Sequence, residues 1–153
     1  MTAITIAEGV DGLRALSGQH LGTSDWLTIT QDRVDAFAEA TGDHQWIHVD
    51  VERAATGPFG GTIAHGYLTL SLATIFMPQI LETRGFSMGV NYGCERVRFP
   101  TPAPVGCRMR CSAVLDSVTD VAGGVQVAFT LTFEIDTSPK PACVATILIR
   151  RYL

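Results

Sequence analysis

Residues 41–48 (TGDHQWIH) contain the residue types that acid–base chemistry needs. They place the carboxylate of Asp43 and the imidazole of His48 five positions apart, directly after a glycine, Gly42. A carboxylate and a neutral imidazole that share one water molecule can act as base and acid on its two sides. The apolar residues between them, Trp46 above all, predict a site that is partly dried, which would raise the pKa of Asp43.

A structural interpretation of the same residues stays open. Asp43 could cap the segment that follows it, and His48 could bond to a backbone group in the core. The spacing alone does not separate this interpretation from the catalytic one.

A second motif, Ile63-Ala64-His65-Gly66, stands at the start of a long apolar run. If a helix begins there, its first backbone amides have no partners within the helix. Such amides, together with the helix dipole, can stabilise a developing oxyanion such as a thioester enolate. Gly66 would let a substrate carbonyl approach the backbone closely, but the same glycine could instead serve tight helix–sheet packing.

Helical patterns position both motifs. Apolar residues at helical spacing predict a helix that starts after an N-cap at Thr30 and ends at Gly42, which leaves Asp43 on a loop directly after a helix end. The run from Tyr67 to Met77 has no charged residue, and a helix without a polar stripe is expected to be buried all round, with Pro78 limiting or kinking it. Three shorter elements are predicted as well: a helix at 7–16, a strand at 22–28 and a helix at about 50–55.

After Gly85 the apolar residues alternate with polar ones, which is the period of a strand. Strands are predicted at 86–99 with a bulge at 93–95, and then at 105–115, 125–135 and 143–150. Proline-rich or glycine-rich turns separate them, so the strands should form an antiparallel meander. The economical fold for these pieces is an α+β hotdog fold, in which a long antiparallel sheet curls around one apolar helix.

Composition narrows the function classes. The chain has 153 residues, so we expect one domain over residues 1–153, and 46% of them are hydrophobic. The net charge of −4 without a basic run argues against a nucleic-acid partner. The eleven-residue run 67–77 is too short to cross a bilayer. The N-terminal residues do not have the pattern of a secretory signal. The four cysteines are predicted to be small core residues in a reducing compartment, so a cytoplasmic location is expected.

These motifs match a known family. Residues 41–48 and 63–66, followed by Asn91-Tyr92-Gly93 and Arg96-Val97-Arg98-Phe99-Pro100, resemble the MaoC-like (R)-specific enoyl-CoA hydratases. The closest likeness is to the short single-hotdog actinobacterial members and to nodulation protein N. The resemblance implies a homodimeric hotdog enzyme that adds water to trans-2-enoyl-CoA and gives the (R)-3-hydroxyacyl thioester. It implies no cofactor other than the coenzyme A thioester that serves as substrate.

The resemblance also implies roles for five residues. Asp43 and His48 would be the catalytic pair that holds and activates the water, and the Gly66 amide would donate to the thioester carbonyl. Gln45 stands where many members have asparagine, and its amide could orient the site. Thr74 stands where some relatives have a serine, and its hydroxyl could support the pair through a hydrogen bond.

Other interpretations remain open at this point. His44 and His48 are four apart beside Asp43, but the His-Glu-x-x-His pattern needs a glutamate where Gln45 stands, so no metal is expected. Hotdog folds host several thioester chemistries, which leaves an acyl-CoA thioesterase and a non-catalytic acyl-binding subunit as alternatives. The sequence does not choose between coenzyme A and acyl carrier protein, or between hydration and dehydration.

Two further expectations concern surfaces. The strand at 142–149 is apolar on both faces, which predicts a homodimer that covers one of them. The arginines nearest to each other in sequence could contact coenzyme A phosphates, or they could be solvated charges or cross-strand partners of Glu95 and Asp116. These arginines are Arg96, Arg98, Arg108 and Arg110.

Overall fold

A computed structural model describes residues 3–153. Its helices are α1 (Gly9–Ala15), α2 (Gln31–Thr41), α3 (Trp46–Val49), α4 (Val51–Ala55), α5 (Gly66–Ser71) and α6 (Ala73–Ile80). Its strands are β1 (Thr5–Glu8), β2 (Gln19–Thr23), β3 (Leu27–Thr28), β4 (Leu81–Arg84), β5 (Met88–Arg98), β6 (Arg108–Val121), β7 (Gly124–Ile135) and β8 (Ser138–Tyr152).

One long antiparallel sheet dominates the fold. Its strand order is β2-β6-β7-β8-β5, with β3 also paired to β6. Strands β6, β7 and β8 form the predicted meander, and their alternate side chains are buried. Helix α6 packs on the sheet through Phe76, whose ring meets Phe133 edge-on at 6.2 Å between centroids. The prediction of an α+β hotdog fold is confirmed.

Strand β5 is the edge of this sheet and, within the part of the chain that the structure describes, pairs with β8 alone. The predicted bulge is present, because the register shifts between Asn91 and Gly93 and again between Cys94 and Arg96. The prediction of a simple turn after β5 is wrong, since β8 and β7 lie between β5 and β6. Residues 99–107 instead cross from one strand to the other, a connection that alternation along a strand cannot reveal.

The apolar run does not form one helix that is buried all round. It forms α5 and α6 with a break at Leu72, and Pro78 lies inside α6 without ending it. One face packs on the core, but Tyr67 is 74% exposed and Ile75 is 37% exposed. The expectation of complete burial is therefore wrong for the single chain, since one helix face borders an open groove.

Helix α2 follows its prediction closely. The Thr30 hydroxyl accepts a hydrogen bond from the backbone N–H of Arg33 at 3.3 Å, and Gly42 ends the helix with a φ of 78°. At the N-terminus the structure differs, because residues 5–8 form β1 in parallel with β4, and the helix starts only at Gly9. The strand expected at 22–28 is divided into β2 and β3.

The structure tests two further expectations, one about the burial of the cysteines and one about a membrane-spanning helix. Cys107, Cys111 and Cys143 are buried as expected, but Cys94 is exposed on the edge strand, so it is not a core residue. Within residues 3–153, no helix has the length and the apolar character that crossing a bilayer requires.

Candidate active site

Three backbone segments meet where the two motifs come together. Residues 62–64 run between the short helix α3 and the crossing segment 99–107. On one side the N–H of Ile63 donates to the carbonyl of Ile47 at 3.0 Å. On the other side the N–H of Ala64 donates to the carbonyl of Ala103 at 2.8 Å. These bonds hold the start of α5 against helix α3, which carries His48 and directly follows the loop that carries Asp43.

His48 is fixed in one orientation. Its side chain is buried, with the residue only 6% exposed, and Nδ1 donates a hydrogen bond to the carbonyl of Ile63 at 2.7 Å. Because a carbonyl can only accept, Nδ1 carries the proton and Nε2 of the neutral ring has a free lone pair. Burial lowers the pKa of His48 below its ordinary value, against the opposing effects of the Ile63 carbonyl and Asp43.

Asp43 reaches the same place from the loop after α2. One carboxylate oxygen of Asp43 and one ring nitrogen each of His48 and His65 lie within 4.8 Å of one another. The Oδ1 atom also accepts a hydrogen bond from the backbone N–H of Gln45 at 3.3 Å. The local capping contact and the proximity to His48 therefore coexist. The drying expected from Trp46 is absent in the single chain, where Asp43 is exposed and Trp46 stacks under Arg53 instead.

His65 is a site residue for which the sequence motifs predicted no role. It is 2% exposed, and its Nε2 donates to the backbone carbonyl of Asp43 at 3.0 Å. Its ring stacks on that of His48 with centroids 3.8 Å apart and planes 25° apart. No spacing rule links residues 22 positions apart, so the only signal in the sequence was its place directly before Gly66.

A cavity of about 310 Å³ opens between His48 and the start of α5. Gly66, Thr69, Phe99 and Ala142 contribute to its wall. The His65 side chain does not cap α5, and a methyl group placed on Gly66 would lie 3.2 Å from the ring of Phe99. The absence of a side chain at Gly66 thus keeps open the space beside the first turn of α5.

The two remaining predicted residues lie differently. Gln45 is exposed, and its backbone carbonyl accepts from the N–H of His48 at 3.0 Å. Thr74 is not part of the cavity: its hydroxyl donates to the carbonyl of Ser71 at 2.9 Å, and the residue lines a separate groove of about 430 Å³ between the helices and strands β5 and β8. The structure therefore brings Asp43, His48 and Gly66 together and leaves Thr74 apart.

The arginines divide into two groups. Arg108 pairs with Asp136 at 2.9 Å and Arg110 pairs with Glu134 at 2.7 Å. Their partners lie on β7 and just beyond it, so the expected partners Glu95 and Asp116 are wrong for these two. Arg96 and Arg98 are exposed on β5.

The chemistry of this cluster fits proton transfer better than metal binding. Asp43, His48 and His65 supply a carboxylate and two imidazoles, a donor set that suits a transition metal. Stacked imidazole rings, however, direct their in-plane lone pairs side by side and not toward one point.

Comparison with known proteins identifies the family. The family model described as "MaoC like domain" matches residues 13–134. The chain belongs to this MaoC-like family. It is 51% identical to 3-hydroxyacyl-thioester dehydratase Z of Mycobacterium tuberculosis over 144 residues. The aligned region covers 94% of this chain and 95% of that protein.

Two further matches agree. Nodulation protein N of Rhizobium leguminosarum bv. viciae is 47% identical over 134 residues, covering 84% of this chain and 81% of that protein. The solved (R)-hydratase from A. caviae involved in PHA biosynthesis superimposes with a TM-score of 0.71 at 22% identity, over 87% of this chain and 94% of that chain. The resemblance stated from the motifs is confirmed, and this MaoC-like protein is a hydro-lyase of the dehydratase and hydratase class.

Proposed function

We propose that this MaoC-like protein is an (R)-specific enoyl-CoA hydratase that also runs in reverse as a 3-hydroxyacyl thioester dehydratase. The observation that carries the proposal is that a carboxylate oxygen of Asp43 lies within 4.8 Å of a ring nitrogen of His48, beside a cavity that both His48 and Gly66 line. The name of the 51% identical relative, a 3-hydroxyacyl-thioester dehydratase, supports the substrate class.

In the proposed reaction one water molecule lies between Asp43 and His48. Its oxygen bonds to C3 of the enoyl thioester while His48 Nε2 takes one of its protons, and Asp43 holds the other hydrogen in place. The proton on Nε2 is then delivered to C2, which restores the neutral imidazole. Because both groups reach the water from adjoining segments, Asp43 from the loop after α2 and His48 from α3, oxygen and proton arrive on one face of the double bond.

Between the two steps the thioester oxygen carries enolate charge. The backbone N–H of Gly66, in the first turn of α5, would donate to that oxygen. Donors aimed at developing charge are typically worth about 3 to 4 kcal/mol of transition-state stabilisation. Gln45 would act through its backbone, because its carbonyl fixes the N–H of His48.

The test is hydration of crotonyl-CoA by the purified protein, followed by loss of the conjugated enoyl absorbance and by chiral analysis of the product. The (R)-3-hydroxy product is expected, and Asp43→Asn should lose activity with its circular dichroism unchanged. His44→Gln is the matched control, since His44 lies on the same loop, is exposed and contacts Glu39 at 3.5 Å.

The same assay distinguishes the alternatives. Release of free coenzyme A, detected with a thiol reagent, would indicate a thioesterase instead. Binding of acyl-CoA without turnover would indicate an acyl-binding subunit. A folded Asp43→Asn variant that hydrates crotonyl-CoA within a few-fold of the wild type would refute the mechanism.

The proposal includes no metal or organic cofactor. Elemental analysis of active protein and unchanged turnover after chelator treatment would support this point. We also propose a cytoplasmic, reducing location. All four cysteines are free thiols within the described residues, which is what a reducing compartment favours.

The active assembly would be a homodimer. Strand β5 has no neighbouring strand on one edge among residues 3–153, and Met88, Val90 and Tyr92 are exposed along it. A long exposed edge strand with apolar side chains is a template for pairing with another strand. A second copy of β5 would satisfy that edge and would also cover Tyr67 and Ile75.

A further inference from the structure

We infer that His65 is a positioning residue that holds Asp43 and His48 in working geometry. The inference rests on the proposed function, because it assigns His65 to the same reaction. It depends on two contacts of one buried side chain, one to each member of the catalytic pair, and on a buried nitrogen of the same ring that has no hydrogen-bond partner within the described residues.

The first contact restrains Asp43. Nε2 of His65 donates to the Asp43 backbone carbonyl at 3.0 Å. Asp43 lies on an exposed loop, where its other bonds are local ones to Thr41 at 3.4 Å and to Gln45 at 3.3 Å. The bond from His65 is thus the one that ties the Asp43 backbone to the element carrying Gly66.

The second contact restrains His48. The bond from His48 Nδ1 to Ile63 fixes one ring atom but leaves the ring free to tilt about that bond. The face of His65, 3.8 Å away between centroids, limits the tilt and so sets the direction of Nε2. The His65 ring itself packs against the ring of Phe37 in α2, with centroids 4.9 Å apart.

The third observation is a buried polar atom without a hydrogen-bond partner. Nδ1 of His65 is buried and has no hydrogen-bond partner within the described residues. A side chain needed only for packing would avoid an unpaired buried acceptor, and groups of this kind concentrate at functional sites. A phenyl ring would pack here without that cost but could not donate to Asp43.

The charges around His48 make the role measurable. Burial and His65 lower the pKa of His48, whereas the Ile63 carbonyl and Asp43 raise it. Other charged groups nearby face elsewhere: Glu39 meets the exposed His44, and Asp35 binds Gln31, whose amide also donates to the His48 backbone carbonyl. Removing the His65 imidazole should therefore move the His48 titration to higher pH.

Two variants separate the contacts. His65→Phe keeps a ring against His48 but loses the donor to Asp43, and His65→Gln keeps a donor at the same distance along the side chain but loses the ring. We expect His65→Phe to lower kcat on the order of tenfold to a hundredfold with little change in KM, since small displacements of reacting groups cost that much. His65→Gln should recover a large part of the loss, and in both variants the His48 titration should move to higher pH.

The titration is read from the His48 imidazole by NMR as well as from the acid limb of kcat/KM, so it remains measurable if crotonyl-CoA is not a substrate. Failure of wild-type turnover would therefore count against the proposed function and not against the contacts of His65. His44→Gln serves as the control and should change neither readout. Folded variants with wild-type kcat and an unmoved His48 titration, or equal losses in both variants that track lost thermal stability alone, would overturn the inference.

Discussion

At the scale of single residues, the contact that fixes His48 is the one that makes it useful. A histidine bonded to a backbone carbonyl is an ordinary structural feature, yet the bond from Nδ1 to Ile63 also selects the tautomer with a basic Nε2. Structural and catalytic interpretations of this residue are therefore not alternatives. The same holds for Asp43, whose local bond to Gln45 limits the loop without occupying the whole carboxylate.

The lowered pKa of His48 predicts the pH dependence. Activity needs the neutral ring, so kcat/KM should fall on the acid side through a pKa below the ordinary value of 6.5. The unfolded chain binds this proton more readily than the folded one, so the free energy of unfolding should decrease as pH falls below 6.5. A pH–rate profile and chemical denaturation at several pH values measure the two effects, and an acid limb above 6.5 would contradict the assignment.

Asp43 and His48 should behave as one unit. Each acid–base group is worth about a hundred- to ten-thousand-fold in rate, or roughly 3 to 5 kcal/mol. Because the pair shares one water, the double variant Asp43→Asn/His48→Gln should lose far less than the sum of the two single losses. A double-mutant cycle on kcat/KM measures the coupling, and additive losses would show that the two groups act independently.

At the scale of elements, the start of α5 is set by its neighbours and not by the helix itself. Residues 62–64 bond on one side to α3 and on the other to the crossing segment 99–107, including Val105 to Thr62 at 2.9 Å. Phe99, where β5 passes into that segment, lies over Gly66. The position of the proposed oxyanion donor therefore depends on a chain connection remote in sequence.

Gly66→Val tests that position. A β-branched side chain would meet the ring of Phe99 and block the approach of a carbonyl to the first amides of α5. The expected loss is on the order of 3 kcal/mol of transition-state stabilisation, with a modest change in thermal stability because Phe99 is partly exposed and can shift. Gly61→Ala is the control, since a methyl group there contacts nothing within 4 Å. Normal turnover by Gly66→Val would place the oxyanion elsewhere.

Elements coded by local pattern were predictable from the sequence, and those set by distant contacts were not. The cap at Thr30 and the end at Gly42 are properties of a few adjacent residues, as is the alternation that defines β7. The pairing of β5 with β8 is a choice of neighbour that period-two alternation does not encode. In the site, the family motif named Asp43, but the bond from His65 joins positions 22 apart and emerged only from the fold.

At the scale of the whole molecule, the exposed faces lie together. The groove beside α5 and α6 is bounded by β5 and β8, and its lining includes Leu70, Met77 and Ile147. It adjoins the open edge of β5. The sequence predicts a partner over one of the two apolar faces of residues 142–149, but the chain itself covers most of both faces, since Ala142, Ala145 and Leu148 are buried. We therefore expect a partner to cover β5 and the exposed face of α5 and α6, and not β8.

A charged substitution on β5 tests the proposed dimer. Val90 is 44% exposed on the open edge strand, opposite Arg150 in the register with β8. Lysine on an edge strand opposes pairing with a second strand, because its charge would have to be desolvated between the two chains. We expect the wild type to sediment as a dimer at micromolar concentration and Val90→Lys to sediment as a folded monomer. Ile6→Lys on β1, at a similar exposure of 47%, should leave the dimer intact. A monomeric wild type, or a Val90→Lys variant that stays dimeric, would show that β5 is not the interface.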